Sequence, residues 1–128
     1  MISWLERNRV VSWAITSLIA IFIFYVSSIV FEPSPQPSQT PLLPIIYHIS
    51  IFFFLAVFLF ISSLDRKWNF KKILSAITIV SIYAVLDEIH QYFVPGRFSS
   101  MNDFFLNFSG IVFASLLYFV MIAKKNKN

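Results

Sequence analysis

Four apolar stretches, each close to 20 residues, leave this chain little choice of fold. They run over 10–31, 43–64, 73–93 and 104–123. A helix rising 1.5 Å per residue needs roughly 20 residues to cross a hydrocarbon core of about 30 Å. Membrane strands would alternate lipid-facing and lumen-facing residues. The run 51–60, Ile-Phe-Phe-Phe-Leu-Ala-Val-Phe-Leu-Phe, shows no alternation. Only a helix satisfies its own backbone hydrogen bonds in lipid, so four helices are expected. A soluble fold is excluded by bulk: 58% of the 128 residues are hydrophobic, 16 of them Phe, and a domain this small cannot hide that much. The expectation is an all-α membrane protein, one domain over 1–128, with four transmembrane helices in a compact bundle.

The connecting segments carry the orientation. Arg7 and Arg9 precede the first stretch, Arg66, Lys67, Lys71 and Lys72 separate the second and third, and Lys124, Lys125 and Lys127 follow the fourth. Nine basic residues thus share one side, against Arg97 on the other. The positive-inside rule predicts a multi-pass protein of the cell membrane with both termini cytoplasmic. The net charge of +4 is then a topology signal and no nucleic-acid footprint. The first stretch is too long for a signal peptide, and no small-x-small cleavage site follows before Glu32, so it is expected to be a retained span. Pro33, Pro35, Pro37 and Pro41 predict an extended loop, and Pro95-Gly96 predicts a turn. Trp68 and Tyr47 are placed like interfacial anchors.

Polar residues are scarce, and they collect where they cost most. Three of the six acids, Asp87, Glu88 and Asp103, and one of the two histidines, His90, flank the Pro95-Gly96 turn. A charge at the centre of a spanning helix costs roughly 2.5–3.5 kcal/mol on insertion scales, so such groups are paired, hydrated or at work. Asp87, His90 and Gln91 stand at i, i+3 and i+4 and share a helix face, while Glu88 reaches Gln91 at i+3. Asp103, Asn107 and Gly110 share a face of the fourth helix, where glycine permits close helix approach. Ser99, Ser100 and Asn102 can cap that helix, and Asp103 suits its N-terminus. Arg97 can fork onto a carboxylate or phosphate. His48, near the start of the second span, is expected at the same membrane face.

Glu88, His90, His48 and Asp87 are therefore the acid–base candidates, and Arg97, Gln91, Asp103 and Asn107 the ligand-binding ones. The competing reading makes the whole group a satisfied network that pins helices. Asp103 alone suits a helix start, and Asn107 and Gly110 suit packing. The order Asp-Glu-x-His has no zinc spacing, and Glu88 and His90 at i, i+2 diverge, so neither metal nor cofactor is expected. With no cysteine and no serine elbow, nucleophilic catalysis has no support.

Glu88, Gln91, Phe93, Pro95-Gly96-Arg97, Ser100, Asp103, Asn107 and Gly110 resemble the pattern of the VanZ-like membrane proteins. His48 falls where that family usually has a histidine early in a membrane helix. A lysine often precedes it there, whereas this chain has Leu43, Pro44 and Ile45. The resemblance implies a small helical membrane domain, and the founding member of the family is associated with low-level resistance to the glycopeptide teicoplanin.

Three functions fit. The polar group can form an outer-leaflet pocket between the second, third and fourth helices that recognises or modifies an amphiphilic envelope molecule. Its partners would then be membrane lipids or a lipid-linked precursor. Alternatively, the chain is a non-enzymatic interaction subunit, or part of a proton-coupled transporter. For topology, Ser38→Cys and Ser99→Cys are expected to react with an impermeant maleimide on intact cells, and Asn69→Cys and Asn126→Cys are not. Labelling of Asn69→Cys would reverse the orientation.

Overall fold

A computed structural model describes residues 2–30, 42–64, 69–97 and 100–125. The Pro-rich segment, Arg66, Lys67, Trp68, Ser99, Asn126 and Lys127, on which sequence expectations were placed, lie outside the described residues. The described chain is helical throughout its regular structure: α1 (Ile2–Arg7), α2 (Arg9–Ser27), α3 (Leu42–Ser63), α4 (Phe70–Tyr92) and α5 (Met101–Lys125). The helices α2 to α5 are each long and apolar enough to cross a membrane. Large apolar side chains cover their outer surface, among them Leu18, Ile21, Ile79, Phe113 and Leu116, all more than half exposed. Lipid is the solvent in which such a surface is stable.

Local chemistry sets the ends. The side chain of Asn69 accepts from the Lys72 amide at 3.1 Å and starts α4 three residues before the apolar run. Ser100 opens α5 in the same way. Its hydroxyl accepts from the Asp103 amide at 3.2 Å and donates to Asp103 Oδ2 at 2.7 Å, a reciprocal cap. Between them, Pro95 and Gly96 make the turn. The Arg97 amide donates to the Val94 carbonyl at 3.2 Å, and Gly96 takes φ 76°, the left-handed value that a Pro-Gly turn demands.

Two boundaries depart from the sequence expectation. The first span ends at Ser27, not near residue 31, because Ser28 closes the helix with its amide and hydroxyl on Phe24 O, at 3.0 and 2.7 Å. Apolar Ile29 and Val30 continue the hydrophobic run past that cap. The short helix α1 lies outside the four apolar stretches. It folds back at Asn8, and the Ser12 hydroxyl donates to Leu5 O at 2.6 Å across the break.

The core centres on α3, which packs against each of the other helices. Phe52, Ala56 and Phe60 of α3 meet Ile23 of α2, Val80 and Ala84 of α4, and Ile111 and Ala114 of α5. Alanines at the crossings let the helices approach, as is usual in bilayers, where apolar burial alone gives no attraction. Gly110 is the extreme case. A Cβ there would lie 2.3 Å from Ile49 O and 2.9 Å from Phe53 N, so α5 rests directly on the α3 backbone. The expected close approach is present, and α3 is the partner. Gly110→Ala should cost about 1–3 kcal/mol by forcing the two helices apart. Unfolding in detergent, with Ser109→Ala as control, checks this.

Candidate functional site

At the end of the bundle marked by the Pro95-Gly96 turn, α4 divides its polar residues between two neighbours. Asp87, His90 and Gln91 face α2. The Ser27 hydroxyl donates to Asp87 Oδ1 at 2.6 Å, and Gln91 Nε2 donates to Asp87 Oδ2 at 2.8 Å and to Ser27 Oγ at 3.4 Å. All three side chains are buried, and each carboxylate oxygen of Asp87 has a donor. Next to them, His90 Nε2 lies 2.9 Å from Ser28 Oγ, and the His90 ring stacks on Phe24 with centroids 4.6 Å apart. Arg97 donates from Nη2 to the Val26 carbonyl, which also accepts from the Ile29 amide, at the C-terminal end of α2 where the helix dipole favours a cation. Four expected site residues thus converge on the end of the first span. The first span joins the site, in addition to the second, third and fourth expected from the sequence. The one signal was Ser27-Ser28, a hydroxyl pair closing an apolar run.

Glu88 turns the other way. Asn107 Nδ2 donates to Glu88 Oε1 at 2.8 Å, and Asn107 Oδ1 lies 2.8 Å from His48 Nδ1. His48 Nε2 lies 3.9 Å from Asp103 Oδ1. The row Glu88–Asn107–His48–Asp103 therefore links α4, α5 and α3 through a side chain with no exposed surface, Asn107. Donor chemistry fixes its polarity. Asn107 turns its amide nitrogen to Glu88 and its oxygen, which only accepts, to His48. His48 must then donate from Nδ1. In neutral imidazole this leaves a lone pair on Nε2, on the Asp103 side; in imidazolium both nitrogens donate. The expected single group is thus divided: His48 joins Asn107, Glu88 and Asp103, whereas Asp87, His90, Gln91 and Arg97 bond to the end of α2, and the i+3 pair of Glu88 with Gln91 gives way to the bond to Asn107.

The space beside this row is an open groove of about 530 Å³ between the last turns of α4 and the first turns of α5. Val85, Ile89, Tyr92, Phe93, Met101 and Phe104 make its walls, and Glu88 and Ser100 are its polar lining. It lies between the third and fourth spans. The second span stands behind it and reaches it through His48, Asn107 and Glu88. Among the described residues, no three His, Cys, Asp or Glu side chains are grouped so as to hold a metal ion.

The sequence pattern of the VanZ/LLP1 family matches residues 6–122, which includes the first three spans, nearly all of the fourth and every residue of the two polar rows. The chain belongs to the VanZ/LLP1 family. No curated protein and no solved structure matches the chain. The family match reaches well beyond the C-terminal third that carries the motif, so the α2 end and His48 lie within it.

The hydrogen-bond polarity has a spectroscopic consequence. Ring nitrogen NMR of His48 at neutral pH should show the Nδ1–H form in excess, and Asn107→Leu should return it to the usual Nε2–H form. Equal spectra for the two proteins would remove Asn107 as the group that sets the tautomer.

Proposed function

We propose that the turn end of this VanZ-family bundle faces outward and binds an amphiphilic envelope molecule. Its apolar chain lies in the α4–α5 groove, and its polar head meets the Glu88–Asn107–His48–Asp103 row. One observation carries this reading: Glu88 lies in the wall of a largely apolar 530 Å³ groove and is bonded through Asn107 to His48. A carboxylate at the edge of an opening is accessible to a polar head group in a way that one sealed between helices is not. Arg97 brings positive charge to the same end and suits an anionic head group. If the bound molecule is modified, His48 and Glu88 are the acid–base candidates, because their row adjoins the groove. Both oxygens of Asp87 are already taken by Ser27 and Gln91. For Asp87 and Gln91 the structural reading is therefore favoured, as a clamp holding α2 to α4.

The family resemblance adds a physiological form of this proposal, tolerance to teicoplanin. The lipid tail of that drug places it in the outer leaflet, where the groove would open. Expression in a susceptible Gram-positive host should raise tolerance to teicoplanin more than to vancomycin. Glu88→Gln keeps size and loses charge, Arg97→Lys keeps charge and loses the planar fork, and Ile89→Trp fills the groove. Each should lower tolerance at unchanged protein level. Full tolerance in all three variants would remove the groove from the mechanism, and collapse of the protein level in each would favour a purely structural network.

A further inference from the structure

A second groove lies at the opposite end of the bundle, between α2 and α4 and floored by α3. Two contiguous cavities form it, of about 280 and 180 Å³, and they share Trp13, Leu59 and Ile79. The first is nearer the basic end and is lined by Lys71, Lys72, Ser75 and Ser63 as well as apolar residues. The second runs toward the middle of the bundle past Ala20, Leu55 and Val80 and is almost wholly apolar. The lining follows helix geometry. Trp13, Thr16, Ser17 and Ala20 stand at i, i+3, i+4 and i+7 on α2, and Lys72, Ser75, Ile79 and Tyr83 occupy one face of α4. From Lys72 to Tyr83 that face extends about 16 Å. The Tyr83 hydroxyl closes the inner end by donating to Ala20 O at 2.7 Å.

We propose that this groove is a binding site for one anionic phospholipid. The phosphate head would sit at Lys71, Lys72 and Ser75, and an acyl chain would lie along Trp13, Leu59 and Ile79 toward Tyr83. Three features agree on that occupant. The lysines are exposed at the groove mouth and supply charge opposite to a phosphate. The polarity changes along the groove from basic to apolar, in the sense a lipid requires. Trp13 is half-exposed at the junction, where an indole bridges the polar and apolar regions. Basic pockets between spans are a general solution for holding anionic lipid heads. Free phosphate would use only the lysine end and would leave the apolar cavity unexplained. The turn-end groove differs in kind, because its polar lining is the acidic Glu88 and the hydroxyl of Ser100.

Trp13 lines both cavities and serves as the reporter. The chain has three tryptophans, so Trp4→Phe with Trp68→Phe leaves Trp13 alone. This protein is placed in bilayers of fixed phosphatidylglycerol and phosphatidylcholine content, with brominated acyl chains on one lipid or the other. An attraction of roughly fivefold per basic residue predicts that, per bromine, quenching of Trp13 is at least severalfold stronger from phosphatidylglycerol. Lys71→Ala with Lys72→Ala should bring the two carriers level, while Lys71→Arg with Lys72→Arg keeps the excess. Millimolar inorganic phosphate should leave the excess intact. Equal quenching from both carriers in the lysine-bearing protein, or an excess that survives the double alanine change, overturns the proposal. Abolition of the excess by free phosphate would overturn the lipid as occupant in favour of a phosphate site.

Discussion

Asn107 has no exposed surface, and both ends of its amide are in use. In hydrocarbon an amide cannot turn to water for a partner, so its position is possible only where Glu88 and His48 stand within reach. Each of those side chains comes from a different helix. One asparagine therefore ties the ends of α3, α4 and α5 together. Gly110, one turn deeper on α5, removes the Cβ that would otherwise hold α5 off α3 and break the contact to His48. The polar bond and the missing side chain depend on each other.

The same rule explains α2. Its last turn is closed by the Ser28 and Ile29 amides on Phe24, Tyr25 and Val26, and its Ser27 hydroxyl is buried. Arg97 adds a second donor to Val26, Asp87 and Gln91 bond the Ser27 hydroxyl, and His90 meets that of Ser28. The result is two polar rows on one helix. The row toward α2 is closed on itself, because every oxygen of Asp87 is bonded. The row toward α5 borders a groove. Position in the packing, more than residue type, separates a carboxylate that clamps helices from one that can meet a ligand.

Much of this was legible in the sequence, for local reasons. Spans follow from length and apolarity. Asp103, Asn107 and Gly110 recur at helical spacing, and Ser100 with Asp103 is a readable cap. What could not be read was long-range pairing. Periodicity puts Glu88 and Gln91 near one another, but it does not say that Glu88 prefers Asn107, nineteen positions away. Ser27 and Ser28 look like ordinary small residues in an apolar run until α4 is laid beside them. The early end of α2 was hidden for a related reason: Ile29 and Val30 keep the run hydrophobic after Ser28 has capped the helix. The first six-residue helix was hidden by Glu6, Arg7 and Arg9, whose charges mark a boundary and obscure the turn that Leu5 buries.

A double-mutant cycle measures how strongly Asn107 couples His48 to Glu88. His48→Ala, Glu88→Gln and the combination are unfolded in bicelles, first with Asn107 in place and again with Asn107→Leu. Hydrogen bonds between spans are worth about 0.6 kcal/mol on average, so a coupling of at least that size is predicted with Asn107 present, and none with leucine there. Additive effects in both backgrounds, within about 0.3 kcal/mol, would mean that Asn107 does not couple the two helices.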